Sequence, residues 1–210
     1  MKMTRHQGQR GVSMIEMVIV MAIFAILFGL AAPSFQAWTT NVQIRTTTES
    51  IQNGLQLARA EAIRRNTNVM FWLTSGTNPL TGDWLVGCAN PVGNGAQPEA
   101  AFDCPGTQTT GVLAANGPPF NWIQRASAVG EQAGTTQVTS AGNAIVVTFN
   151  SVGMVMTTNP GDNNSAPITK IDVTQPALAG SRPLEVQISG GQIRMCDPAL
   201  ALATDPRGCQ

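Results

Sequence analysis

The chain has 210 residues, 43% of them hydrophobic and only 11% charged, with 12 basic and 12 acidic side chains and a formal net charge of zero. That length supports one globular domain of ordinary size beside a membrane or leader segment, and the balance of charge excludes the cationic excess by which most nucleic-acid binders announce themselves. The single histidine, His6, lies at the extreme N-terminus, so no Ser/His/Asp set can form beyond it; with no Gly-rich phosphate loop and no metal-ligand cluster, the sequence reads as a non-enzyme without cofactor or metal.

In chain order, the first feature is Gly11-Val12-Ser13-Met14-Ile15-Glu16 followed by Met17–Ala32, which contains no charged residue. Counted from Val12, the apolar stretch has the roughly 20 residues needed to cross a ~30 Å hydrocarbon core. That count places Glu16 inside the span, where an acid costs on the order of 2.5–3.5 kcal/mol and marks function by default. Lys2, Arg5 and Arg10 precede it without an acid, the flank of a cytoplasmic side. A secretory signal peptide would need a small-residue cleavage site after the apolar run. Ala31-Ala32-Pro33 approximates one, but the proline there and the glutamate within the run argue against it.

From Pro33 the pattern becomes amphipathic. Ile44, Ile51, Leu55, Ala58 and Ala62 share one helical face, which predicts a single helix from about Val12 to Arg65 whose second half packs on a sheet. Gly29 and Pro33 mark where it bends. Residues 68–73 and 83–86 read as a long-looped hairpin that sets Trp72 against Trp84. Residues 88–138 have poor periodicity and one apolar cluster, at 118–123; so long an irregular segment is either functional or hides short strands. Strands follow at 145–149, 154–156, 170–173 and 184–188, and Gly190-Gly191 turns a tight hairpin into 192–196. Four to seven strands packed on one helix make an α+β domain.

The cysteines, Cys88, Cys104, Cys196 and Cys209, leave three connectivities open. Pairing by proximity, Cys88 with Cys104 and Cys196 with Cys209, closes two loops of about 15 residues worth roughly 3 kcal/mol each, and requires an oxidising compartment such as a bacterial periplasm.

A basic leader, a glycine, a glutamate five places on and an apolar helix together resemble the signal of type IV prepilins, in the type IV pilin and pseudopilin superfamily. The resemblance implies that a membrane-embedded prepilin peptidase cuts after Gly11, that Val12 becomes a methylated N-terminus where the family usually has Phe, and that Glu16 serves assembly. Lys2, Arg5 and Arg10 leave with the leader, so nine basic residues then face twelve acidic ones, a net charge of −3. It also implies four segments: a leader at 1–11, a membrane and filament-core half-helix at 12–33, an amphipathic half-helix at 34–66 and a β-rich globular domain at 67–210. The C-terminal stretch Gly190-Gly191-Gln192-Ile193-Arg194-Met195-Cys196-Asp197-Pro198 looks like the minor-pilin branch that includes the FimU and FimT pilins and the H-type pseudopilins of type II secretion. A minor pilin active in pilus assembly and initiation is therefore expected, held in a bacterial inner membrane with its globular domain periplasmic and then passed to a pilus, its partners being other major and minor pilins. Two alternatives accompany it: a DNA-binding minor pilin of natural transformation, and a type II secretion pseudopilin. FimT-like members carry a Gly-Arg-x-Arg motif, which here reads Gly191, Gln192, Ile193, Arg194; DNA is thus the less favoured partner, and Arg182, Arg194 and Arg207, with Lys170, are the cations it would use.

Overall fold

The computed structural model describes residues 12–74, 80–88, 122–126, 136–160, 162, 164–178 and 180–210, with the side chains at 31–33, 122 and 125 left out. The chain falls into two compact units, Met1–Trp38 and Thr39–Gln210, with helix α1 (Met14–Arg65) running through both.

The start and stop of α1 are both written locally. Ser13 precedes it as N-cap: its carbonyl accepts from the Met17 N–H at 3.3 Å and its hydroxyl from the Glu16 N–H at 3.4 Å. This is the first half of a capping box, Ser-x-x-Glu, which satisfies a backbone donor that the helix itself cannot. At the other end Asn66 turns left-handed, with φ of 51°. Thr67 N–H then reaches back to the Ala62 carbonyl at 3.2 Å, a bonding pattern that closes helix ends, and Arg64 and Arg65 in the last turn suit the negative end of the dipole.

In the second unit Ile44, Ile51, Leu55, Ala58 and Ala62 are completely buried, as their spacing predicts. They form one core with both sheets. The first sheet has strand order β3-β2-β1-β5, from β1 (Val69–Leu73), β2 (Trp84–Cys88), β3 (Trp122–Ala126) and β5 (Val146–Phe149). The second has order β4-β6-β7-β8-β9, from β4 (Gln137–Ser140), β6 (Lys170–Thr174), β7 (Leu184–Ser189), β8 (Gln192–Ala201) and β9 (Gly208–Cys209). The architecture is the α+β class read from the sequence, with nine strands among the described residues rather than four to seven, and with one parallel pair, β8 with β9.

Two corrections follow from the strand pairing. Leu73 pairs with Trp84 and Trp72 with Leu85, so the two tryptophans point to opposite faces of the sheet. Trp84 enters the main core against Phe71, ring centroids 5.8 Å apart, while Trp72 packs on the far face with Met70 and Val146. Residues 154–156 do not form a strand; Val155 makes an isolated bridge to Phe149. The segment at 88–138 does hide a short strand, one of the two alternatives read from the sequence: β3, which takes in the last two residues of the apolar cluster.

Helix and first sheet meet at Gly54. A Cβ there would lie 2.8 Å from two atoms of the Trp84 indole and 2.9 Å from the Phe71 ring, so the bare backbone is what admits the aromatic pair. The indole N–H completes the contact by donating to Ser50 Oγ at 3.0 Å.

Candidate functional site

The residues singled out by the sequence lie in two places. The first is the start of α1. Gly11 lies outside the described residues; Val12 is exposed immediately before the Ser13 cap, and every residue from Val12 to Leu30 is exposed in the isolated chain. The face thus laid open includes Met14, Ile15, Val18, Met21, Phe24, Ile26, Leu27 and Phe28, with Phe24 and Phe28 stacked at 6.2 Å. Glu16 occupies the first turn of this helix. No single helix among the described residues is long and apolar enough to cross a membrane; Met14–Leu30 passes that test only with Ser34–Arg65, beyond the break at 31–33.

Sequence reading identified Glu16 by its cost in lipid but passed over Ser13. The signal was present, since a serine three places ahead of a glutamate before an apolar run is itself a helix-start signature. Ser13 fixes where the helix begins, and Glu16 lies at its electropositive end, where a carboxylate gains typically 0.3–1 kcal/mol.

The second place is the β7–β8 hairpin and the tail that folds over it. Gly190 and Gly191 turn the hairpin with φ of 62° and 142°. Cys196, buried in β8, is joined to Cys209 of β9, with their Cα atoms 5.1 Å apart. Cys88 is buried in β2 and disulfide-bonded; Cys104 lies outside the described residues. Glu185, Cys196 and Cys209 cluster as metal ligands would, but the two sulfurs are bonded to each other and offer no thiolate.

The cations on this surface have work within the chain. Arg194 donates to the carbonyls of Pro206 at 2.6 Å and Gly208 at 2.8 Å, clasping the tail. Arg207 forks onto Asp205 at 2.9 and 3.1 Å. Lys170 lies 2.7 Å from Glu185 and 3.4 Å from Asp172. Glu185 is almost fully buried; burial pushes its carboxyl up, but hydrogen bonds from Lys170 and Gln187 outweigh that and hold it below its ordinary value. Burial wins at Asp172, whose carboxyl is raised. Arg182 is exposed, and only its backbone N–H is engaged in a described bond, to Asn41 Oδ1 at 2.7 Å. Arg194 and Arg207 are thus both held at the tail, and Arg182 is held through its backbone.

Asp205 makes the tail sensitive to acid. The Arg207 side chain, and next the Arg207 backbone N–H, hold its carboxyl down at about 2. A folded-state value below the unfolded one means that this support is fully present above the ordinary carboxylate range and is lost as pH falls through about 2. Amide protection of Arg207 and Gly208, measured by NMR hydrogen exchange, should be constant from pH 7 to 5 and drop between pH 4 and 2. Unchanged protection at pH 2 would show that the clasp does not use this carboxylate.

Residues 6–32 match the prokaryotic N-terminal methylation motif. Residues 47–192, more than two thirds of the chain, match the family described as type II transport protein GspH. Among solved structures, the chain is similar to the type IV minor pilin FimU of Pseudomonas aeruginosa in two crystal forms. One shares 15% identity at a TM-score of 0.48, covering 78% of this chain and 95% of that one; the other shares 14% at 0.46, covering 74% and 94%. No curated protein matches the chain.

Proposed function

We propose, since the chain belongs to the GspH family of type II transport proteins and with it to the type IV pilin and pseudopilin superfamily, that it is a minor pilin whose N-terminal helix enters a filament and helps to initiate it. Membership supports a general role in pilus or pseudopilus assembly; the initiating role is our reading, and the observation that carries it is Glu16 in the first turn of a helix whose residues from Met14 to Leu30 are all exposed. So much contiguous apolar surface must be covered. Lipid covers it first and neighbouring pilin helices afterwards. Prepilin peptidase, cutting after Gly11, frees an amino group on Val12, and that ammonium on an incoming subunit is the partner a carboxylate in hydrocarbon lacks. Pairing the two sets the axial register of one helix against the next and relieves the cost of Glu16. The basic leader keeps this end cytoplasmic and sends the globular unit to the periplasmic side of the inner membrane, where disulfides form. The protein acts by packing and docking, without catalysis.

The family match favours a second reading, a type II secretion pseudopilin, which differs in the filament served and uses the same N-terminal mechanism. DNA uptake gains no support: Arg194 and Arg207 are bound to the tail, Lys170 is bound to two acids, and phosphate contacts need free cations. Mass spectrometry of the protein from membranes should give an N-terminus at Val12 carrying a methyl group. A chain that keeps Met1, or one cut near Ala32, would overturn the reading.

A further inference from the structure

The connection between β6 and β7 contains Gln175-Pro176-Ala177-Leu178-Ala179-Gly180-Ser181-Arg182-Pro183, in which Arg182 is the one charged residue. Pro176, Ala177 and Gly180 are exposed, as is Arg182. The loop is fixed internally: Ser181 Oγ donates to the Gln175 carbonyl at 2.9 Å, the Ser181 N–H donates to the Leu178 carbonyl at 3.3 Å, and Gly180 takes a φ of 87°. It is also fixed to α1 at one residue. Asn41 accepts the Arg182 N–H at 2.7 Å and donates to the Gly180 carbonyl at 3.4 Å.

Asn41 lies nine residues past Ala32, the last residue of the apolar run. At about 1.5 Å per helical residue, at most about 14 Å of helix separates the two. A headgroup layer is roughly 5–7 Å thick on each side of the hydrocarbon, and a charged surface is felt for about 8 Å beyond it. The residue that holds the loop is thus tethered, by chain length alone, within about 14 Å of the end of the apolar run. Charge agrees with this. From Met17 to Thr48 the one charged residue is Arg45, and from Gln175 to Pro183 it is Arg182. Arg45 is bound to Glu49 at 2.7 Å, and the nearest acids along the flanking strands, Asp172 and Glu185, are bound to Lys170.

We infer that this loop is a contact for an anionic lipid surface, with Arg182 on headgroup phosphate and the Pro176-Ala177 edge against the membrane, in the subunit held before assembly. The inference rests on the membrane-anchored reading above. Its test is hydrogen exchange by mass spectrometry on the processed full chain in vesicles of phosphatidylcholine, alone or mixed with phosphatidylglycerol. Amides 177–182 should exchange about fivefold more slowly in the anionic vesicles, the factor that one arginine near such a surface supplies. Arg182→Gln should abolish the difference and Arg207→Gln should preserve it; the tie to Asn41 is through the backbone, so the Arg182 variant keeps the loop. Equal exchange in both vesicles, a difference that survives Arg182→Gln, or the same slowing from inorganic phosphate added to phosphatidylcholine vesicles would each overturn the inference. Protection of residues 14–30 reports separately on membrane insertion: its absence in both vesicles would overturn the anchored reading and this inference with it.

Discussion

Glu16→Ala should lower incorporation into filaments by at least about tenfold while leaving the protein expressed, processed and in the membrane. The globular unit does not depend on Glu16, because its core is built from residues 44 onward. Nor does the start of α1, where Ser13 supplies the cap through its own hydroxyl; the helix loses only the 0.3–1 kcal/mol that an acid contributes in the first turn. In lipid the variant gains the ~2.5–3.5 kcal/mol no longer spent on a carboxylate. Assembly alone needs the acid, and removing one partner of a buried charge pair costs about 3–5 kcal/mol, more than the ~1.4 kcal/mol that corresponds to tenfold. Immunoblots of sheared filaments against the membrane fraction would measure the ratio. Equal incorporation of variant and wild type would mean that no ammonium–carboxylate pairing operates here.

A methyl group at position 54 should destabilise the globular unit. Alanine is the better helix former by about 1 kcal/mol, so propensity alone predicts that Gly54→Ala stabilises. The new carbon would stand 2.8 Å from the Trp84 indole and 2.9 Å from the Phe71 ring, both buried, and overpacking of this kind costs about 1–3 kcal/mol. The second term wins, and thermal unfolding should shift down by several degrees. Trp84→Leu, although destabilising by itself, removes the nearer of the two rings, so Gly54→Ala should cost less in that background. A double-mutant cycle with no coupling, or a single variant as stable as wild type, would refute the close contact.

How much was legible follows the range of the interaction concerned. The buried face of α1 was readable because helical periodicity is a property of neighbouring residues, and Ile44, Ile51, Leu55, Ala58 and Ala62 needed no knowledge of what they touch. The Gly190-Gly191 hairpin was readable for the same reason. Trp72 and Trp84 were misplaced because facing depends on the register across a loop, and a shift of one residue reverses every side chain. Strand β3 was hidden because it is held by pairing with β2, which a short run of five residues does not announce. The arginines were the least legible. Composition gives their number, but only the folded tail shows that Arg194 is held between two carbonyls.

The first sheet carries the long connections and the second, from β6 onward, does not. From β2 to β3 the chain runs through residues 89–121, whereas β7 passes to β8 through Gly190 and Gly191 alone. Closing a loop of 33 residues in place of one of four costs only about 2 kcal/mol, since each doubling adds about 0.6. By chain entropy alone, a connection of that length accepts a few more residues at little thermodynamic penalty. The hairpin allows no such freedom, because a single added residue there would displace Cys196 from Cys209 and Arg194 from the carbonyls it binds. The β7–β8 hairpin is fixed in length by its own cross-links.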